Sequence, residues 1–209
     1  MRLPRQTILG CFALALAGCL STPVVAPIRY YTVRPEISVA PAESSGTTLG
    51  IRPLASARPY RAEIAYTDEP NRLAYFPRAE WAETPAAVLD RALLQGIQQL
   101  GLFRDAGNAA DMARPDYMLT GELVRFEADF TGEAPEAVVE VHLVVREGGG
   151  VANTWEGQLL ASVSLDGANP ASPISDTALA RLAQAMSEAV ATIVADACEG
   201  LREAPIAPR

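Results

Sequence analysis

Glu136-Ala137-Val138-Val139-Glu140-Val141-His142-Leu143-Val144-Val145-Arg146 is the stretch that decides the fold class. Ala137, Val139, Val141, Leu143 and Val145 alternate with Glu140, His142 and Arg146, the period of two expected of a strand with one buried face. Glu147-Gly148-Gly149-Gly150 then permits a reversal with positive φ, and Trp155, Gly157, Leu159, Ala161 and Val163 alternate on the return. The two runs predict a β-hairpin. Working upstream, Asp116 to Asp129 is a strand candidate with less regular alternation. Ala62 to Tyr66 and Arg72 to Phe76 flank the turn residues Thr67-Asp68-Glu69-Pro70-Asn71 and predict a second hairpin. Two shorter strands are expected at Arg29 to Val33 and Leu49 to Leu54, separated by a Pro-, Ala-, Ser- and Gly-rich loop from Pro35 to Thr48.

Two helices complete the pattern. Thr84-Pro85 offers an N-cap oxygen and a proline at the first helical position. Leu89, Leu93, Gly96, Ile97 and Leu100 then recur on one face until Gly101 supplies a C-terminal stop. Ser175 can cap a second helix with the stripe Leu179, Leu182, Met186, Val190, Ile193 and Ala197. The order of elements implies a single α+β domain, a mainly antiparallel or mixed sheet with two amphipathic helices packed on one face. The expected division is residues 1–18 as a signal peptide, 19–28 as a lipidated cysteine with a flexible tether, 29–202 as the α+β domain, and 203–209 as a disordered tail.

The amino terminus sets the compartment. A short basic start, Arg2 and Arg5, precedes an apolar run from Ile8 to Ala17, the length of a secretory h-region and about half of what a bilayer-spanning helix needs. Leu16-Ala17-Gly18-Cys19 resembles the bacterial lipobox, in which cleavage leaves an acylated cysteine as the first residue. Cys19 is therefore the expected lipidation site, and acyl chains the expected membrane attachment, each buried methylene adding about 0.8 kcal/mol. The residues Leu20 to Pro27 show no period and carry two prolines, as a tether would.

Cleavage before Cys19 leaves 191 of the 209 residues, enough for one domain with a sizeable core. Those residues carry 15 arginines against 25 acids, a net charge of −10, which argues against nucleic-acid binding. All 17 basic residues are arginine, and the lack of lysine excludes a Walker-type phosphate loop and Schiff-base chemistry. With Cys11 in the signal and Cys19 acylated, Cys198 stands alone and no intrachain disulfide is expected.

Little in the chain points to catalysis. His142 is the single histidine, so a two-histidine metal motif is excluded, and no Gly-x-Ser-x-Gly elbow accompanies it; a surface or hydrogen-bonded role is expected. Gly148-Gly149-Gly150 leads into a strand, not a helix, and reads as a turn. Glu127, Asp129, Glu133, Glu136 and Glu140 form an acidic cluster without an EF-hand pattern, read as solvated hairpin charge. Arg52, Arg58, Arg61, Arg72 and Arg78 crowd the segment before the first helix, where they could hold phosphate headgroups or pair with an acidic partner. No cofactor, no metal and no enzymatic activity are expected.

Leu73, Tyr75-Phe76, Glu80-Trp81-Ala82-Glu83 and the helix-entering Pro85, together with Tyr30-Tyr31-Thr32-Val33 after the lipobox and Leu123-Val124-Arg125-Phe126-Glu127 later, resemble the ABC-type transport auxiliary lipoprotein family. This chain has Glu80 where that family often has an arginine before the tryptophan. The resemblance implies a non-enzymatic accessory of a Pqi- or Mce-type system, in which an ATPase, a permease and an MCE-domain protein move phospholipid between membranes. It implies an outer-membrane location on the periplasmic face and an MCE-domain partner, and leaves homo-oligomerisation open. Tyr75, Phe76 and Trp81 are the candidate partner contacts; Trp81 has a second reading as an aromatic packed over the first helix. Another kind of periplasmic lipoprotein, a lipopolysaccharide-assembly partner or a cell-wall synthase activator, is the alternative.

Overall fold

The computed structural model describes residues 26–165 and 175–207, so Cys19 and the loop at Gly167 to Pro170 lie outside the described residues. Its frame is the predicted hairpin. Strands β8 (Glu136–Glu147) and β9 (Asn153–Ser164) pair antiparallel, and β8 pairs antiparallel on its other side with β7 (Tyr117–Asp129). Ala137, Val139, Val141, Leu143 and Val145 are all fully buried. Register brings Ala128, Phe126, Leu123, Gly121 and Leu119 of β7 beside them, which fixes one core-facing side of the sheet.

The remaining strands attach to the free edge of β7 one after another. β2 (Thr48–Ile51), β3 (Ala55–Ser56) and β4 (Glu63–Glu69) run parallel to it at successive heights. β6 (Asp105–Asn108) adds to β2 in parallel. β5 (Arg72–Trp81) returns antiparallel along β4, and β1 (Arg29–Tyr31) adds to β5 in parallel. The result is a nine-stranded mixed sheet. The composition predicts a first strand out to Val33 and a second from Leu49 to Leu54; the observed ladders are shorter, with three register pairs between β1 and β5, three between β2 and β7 and four between β2 and β6. β3 and β6 are additional.

Both helices form where the caps predict. Helix α1 (Pro85–Leu100) starts behind Thr84, whose side chain makes no capping bond, and ends at Gly101 with φ 66°, the left-handed conformation that glycine adopts without a Cβ penalty. Helix α2 (Asp176–Glu203) is capped by the Ser175 hydroxyl, which accepts from the Ala178 amide. The predicted stripes Leu89, Leu93, Ile97 and Leu100, and Leu179, Leu182, Met186, Val190, Ile193 and Ala197, are buried throughout. By length and composition α2 could cross a membrane, yet half of its most apolar window is buried in this core. The helices touch at Gly96, where an added Cβ would lie 2.2 Å from Val194 Cγ1, so the close approach requires glycine.

The carboxyl-terminal segment departs from the expected disordered tail. Past α2, the Ala207 amide donates to the Tyr117 hydroxyl at 3.2 Å, and Ile206 packs against the core. One apolar side chain and one hydrogen bond hold the described part of the tail on the start of β7.

Candidate docking surface

The β4–β5 ribbon carries the three aromatic candidates, and an irregularity in it decides their fates. Glu63 pairs with Glu80 and Ala65 with Tyr75, so Ile64 alone stands opposite the four residues Phe76 to Ala79. Within this bulge Arg78 has φ 56°, an unusual conformation for a side-chain-bearing residue. The bulge re-aims the chain. Phe76, 4% exposed, stacks on Tyr66 with ring centroids 4.5 Å apart, and both meet the edge of Phe130. Trp81, 3% exposed, stands edge-on to Phe126 at 5.6 Å. Its indole Nε1 is buried without a hydrogen-bond partner among the described residues. Tyr75 is 44% exposed, and its hydroxyl donates to the Pro59 carbonyl at 3.2 Å.

Of the three candidate contacts, therefore, only Tyr75 presents its ring to solvent. Phe76 and Trp81 occupy the core in this conformation, with Trp81 against Phe126 of β7. Register puts Tyr75 beside Ala65 and Ala65 beside Glu127, on the sheet face away from the helices.

That face also corrects the reading of the acidic cluster. Glu127 is 4% exposed, not solvated. Its Oε2 accepts from the Tyr60 hydroxyl at 2.6 Å, and its Oε1 accepts from Arg125 Nε and Nη2 at 3.0 and 2.7 Å. Arg125 Nη2 also reaches Asp129 Oδ2 at 2.7 Å, while the Thr131 amide and hydroxyl donate to Asp129 Oδ1. Burial, and then the adjoining carboxylate, push the Tyr60 hydroxyl well above the usual phenol range, so it remains a donor. Burial alone would raise Asp129; the Thr131 contacts and Arg125 outweigh it and hold the carboxyl below its ordinary value. The network clamps the Pro59-Tyr60 segment over the sheet, directly beneath Tyr75.

Elsewhere the candidate chemical groups are separate. His142 Nε2 lies 2.8 Å from Glu156 Oε1, and Glu156 accepts from Asn153 as well. The histidine contact first, then Asn153, lowers the Glu156 carboxyl. No hydroxyl or thiol among the described residues is hydrogen-bonded to this imidazole. Among the described residues no group of three or more His, Cys, Asp or Glu side chains is placed to hold a metal.

The sequence model of the ABC-type transport auxiliary lipoprotein component matches residues 31–197, which span β1 through most of α2. The chain belongs to this family. Among solved structures the fold is similar to protein XCC0632 from Xanthomonas campestris, at 18% identity and TM-score 0.70, covering 83% of this chain and 95% of that one. It is also similar to the hypothetical protein CT253 from Chlamydia trachomatis, at 9% identity and TM-score 0.50, covering 75% and 95%. At those identities the likeness is one of fold. No curated protein matches in sequence.

Membership of a family of auxiliary lipoproteins places the chain with membrane-anchored components of transport systems. Cys198 is buried against Gly96 on the α1–α2 contact, and burial pushes its thiol up to about 11. At neutral pH the thiolate that reacts is scarce. Alkylation of the folded protein with iodoacetamide should run at least about a hundredfold slower than after denaturation, followed by mass; equal rates would contradict the buried placement.

Proposed function

We propose that this chain is a non-enzymatic accessory lipoprotein of an Mce- or Pqi-like phospholipid transport system. It is anchored through Cys19 in the outer membrane, faces the periplasm, and docks an MCE-domain protein whose ABC permease and ATPase lie across the compartment. The observation that carries the reading is the family match over residues 31–197. The chemistry supports it: a lone histidine, no lysine and no metal cluster among the described residues leave binding as the available work. Tyr75 is the proposed contact, and Phe76 and Trp81 support it from the core side of the same strand. The Tyr60–Glu127–Arg125 network holds the ground under the ring.

Co-purification from detergent-solubilised membranes tests the reading, with the MCE-domain protein as the expected companion. Tyr75→Ala should weaken that capture by about 1 to 2 kcal/mol, roughly five- to thirtyfold, with the melting temperature nearly unchanged, since the ring is exposed and holds one hydrogen bond to the chain. Full capture by the variant removes Tyr75 from the interface, and no MCE-domain protein in the parent pull-down removes the reading itself.

A further inference from the structure

The geometry points to a second contact surface, an aromatic and basic patch where the chain leaves its tether, that lies on the anionic headgroups of the leaflet holding the anchor. The patch is built from Ile28, Tyr30, Arg58, Arg61 and Arg78. Arg78 Nη1 donates to the Ala26 carbonyl at 2.6 Å, which pins the first described residue onto the bulge of β5. β1 then runs beside the end of β5, with Tyr30 opposite Glu80 and Tyr31 opposite Trp81. On the other side of β5, the Trp81 amide donates to the Ala62 carbonyl at 2.7 Å, which sets Arg61 at the same strand end. Tyr75 bonds the carbonyl next to Arg58. The patch therefore borders the proposed partner contact without using it.

Three observations commit the patch to a lipid surface. The first is charge. Of the arginines on β1, on β5 and between β3 and β4, Arg29 pairs with Asp176 and Arg72 with Asp68 and Glu69, which leaves Arg58, Arg61 and Arg78 as cations without an ion pair among the described residues. Arg58 and Arg61 are exposed and make no hydrogen bond or ion pair among the described residues. Glu63 and Glu80, opposite one another in register, bound the patch beside Tyr30. The second is apolar exposure: Ile28 and Tyr30, 46% and 62% exposed, are two of the five large hydrophobic residues that stand out from the described surface. An exposed isoleucine and tyrosine on the segment whose entry Arg78 holds bring apolar and cationic groups to one end of the sheet, the composition of a membrane interface. The third is reach. Cys19 lies seven residues before Ala26, at most about 25 Å when extended, so an acyl anchor there keeps this end of the body near the headgroups. Screening confines the attraction to about 8 Å at physiological salt, a distance the tether allows.

The inference rests on the proposed anchor at Cys19, and the test separates the two. The full acylated chain is placed in vesicles of phosphatidylcholine, with or without phosphatidylglycerol, and its arginines are modified with phenylglyoxal and read by mass spectrometry. Flotation with the neutral vesicles reports the anchor independently of the patch. In anionic vesicles Arg58, Arg61 and Arg78 should be modified about fivefold more slowly or less, while the exposed Arg114 and Arg181 keep their neutral-vesicle rates. Added salt should restore the rates. The double variant R58E/R61E, at exposed positions that leave the fold alone, should return Arg78 to its neutral-vesicle rate. Equal rates in both vesicle types overturn the inference. So does protection that appears only when a co-purified protein is added, which would assign the patch to an acidic protein surface.

Discussion

Replacing Trp81 with alanine should cost about 3 to 5 kcal/mol of stability, a large share of the roughly 5 to 15 kcal/mol that a domain of this kind has. The indole is 3% exposed, stands edge-on to Phe126, and lies next to the last paired residue of β1. The hole would sit where β5 meets β1, and the strands cannot collapse into it without losing the Ala62 and Tyr31 backbone bonds on either side. For a chain of this size the melting temperature should fall by about 6 to 20 °C. Trp81→Phe sharpens the test. It keeps most of the ring packing and removes an Nε1 donor that is buried without a partner among the described residues, an arrangement that itself costs about 1 to 3 kcal/mol. The phenylalanine variant should therefore lie within about 1 kcal/mol of the parent. Urea denaturation of both decides: an alanine variant that melts with the parent would take Trp81 out of the core, and a phenylalanine variant as damaged as the alanine one would show that the indole nitrogen has a partner.

The sequence made the hairpin of β8 and β9 and the two helices legible because each rests on a local signal, a period of two, a capping residue or a glycine stop, that the tertiary fold did not override. The parallel attachments of β2, β3 and β4 to β7 were not legible. They join segments far apart in the chain, and β3 is two exposed residues with no pattern of its own. β6 reads Asp-Ala-Gly-Asn, the composition of a turn, and is a strand only because β2 offers it a ladder. At the site, Tyr75, Phe76 and Trp81 could be picked out as aromatic but not sorted, since the sorting is done by a bulge whose trace in the sequence is Pro77. The buried network did leave a usable signal. Arg125, Glu127 and Asp129 recur every second residue on a strand, which sets three opposite and like charges on one face and could have suggested a shared ion cluster in place of solvated charge.

That cluster yields the other large effect. Arg125→Ala should destabilise the protein by about 3 kcal/mol or more at pH 7, because it strips a 4% exposed carboxylate of its counter-charge and leaves Glu127 with the Tyr60 hydroxyl alone. Asp129 loses its partner too. The pH dependence identifies the cause. In the parent, Asp129 is held below its ordinary value, so its contribution is present above the unfolded value of about 3.9 and is lost as pH falls through the lowered one. The gap between parent and variant should therefore be full near pH 7 and narrow as the pH is brought below about 4. Denaturation midpoints at several pH values measure it, and a gap that stays constant down to about pH 3 would mean that Arg125 acts through the packing of its alkyl stem. Glu127→Gln in the Arg125→Ala background provides the cross-check: removing the stranded charge should recover stability at pH 7, since an amide can accept from Tyr60 without the desolvation cost of an ion.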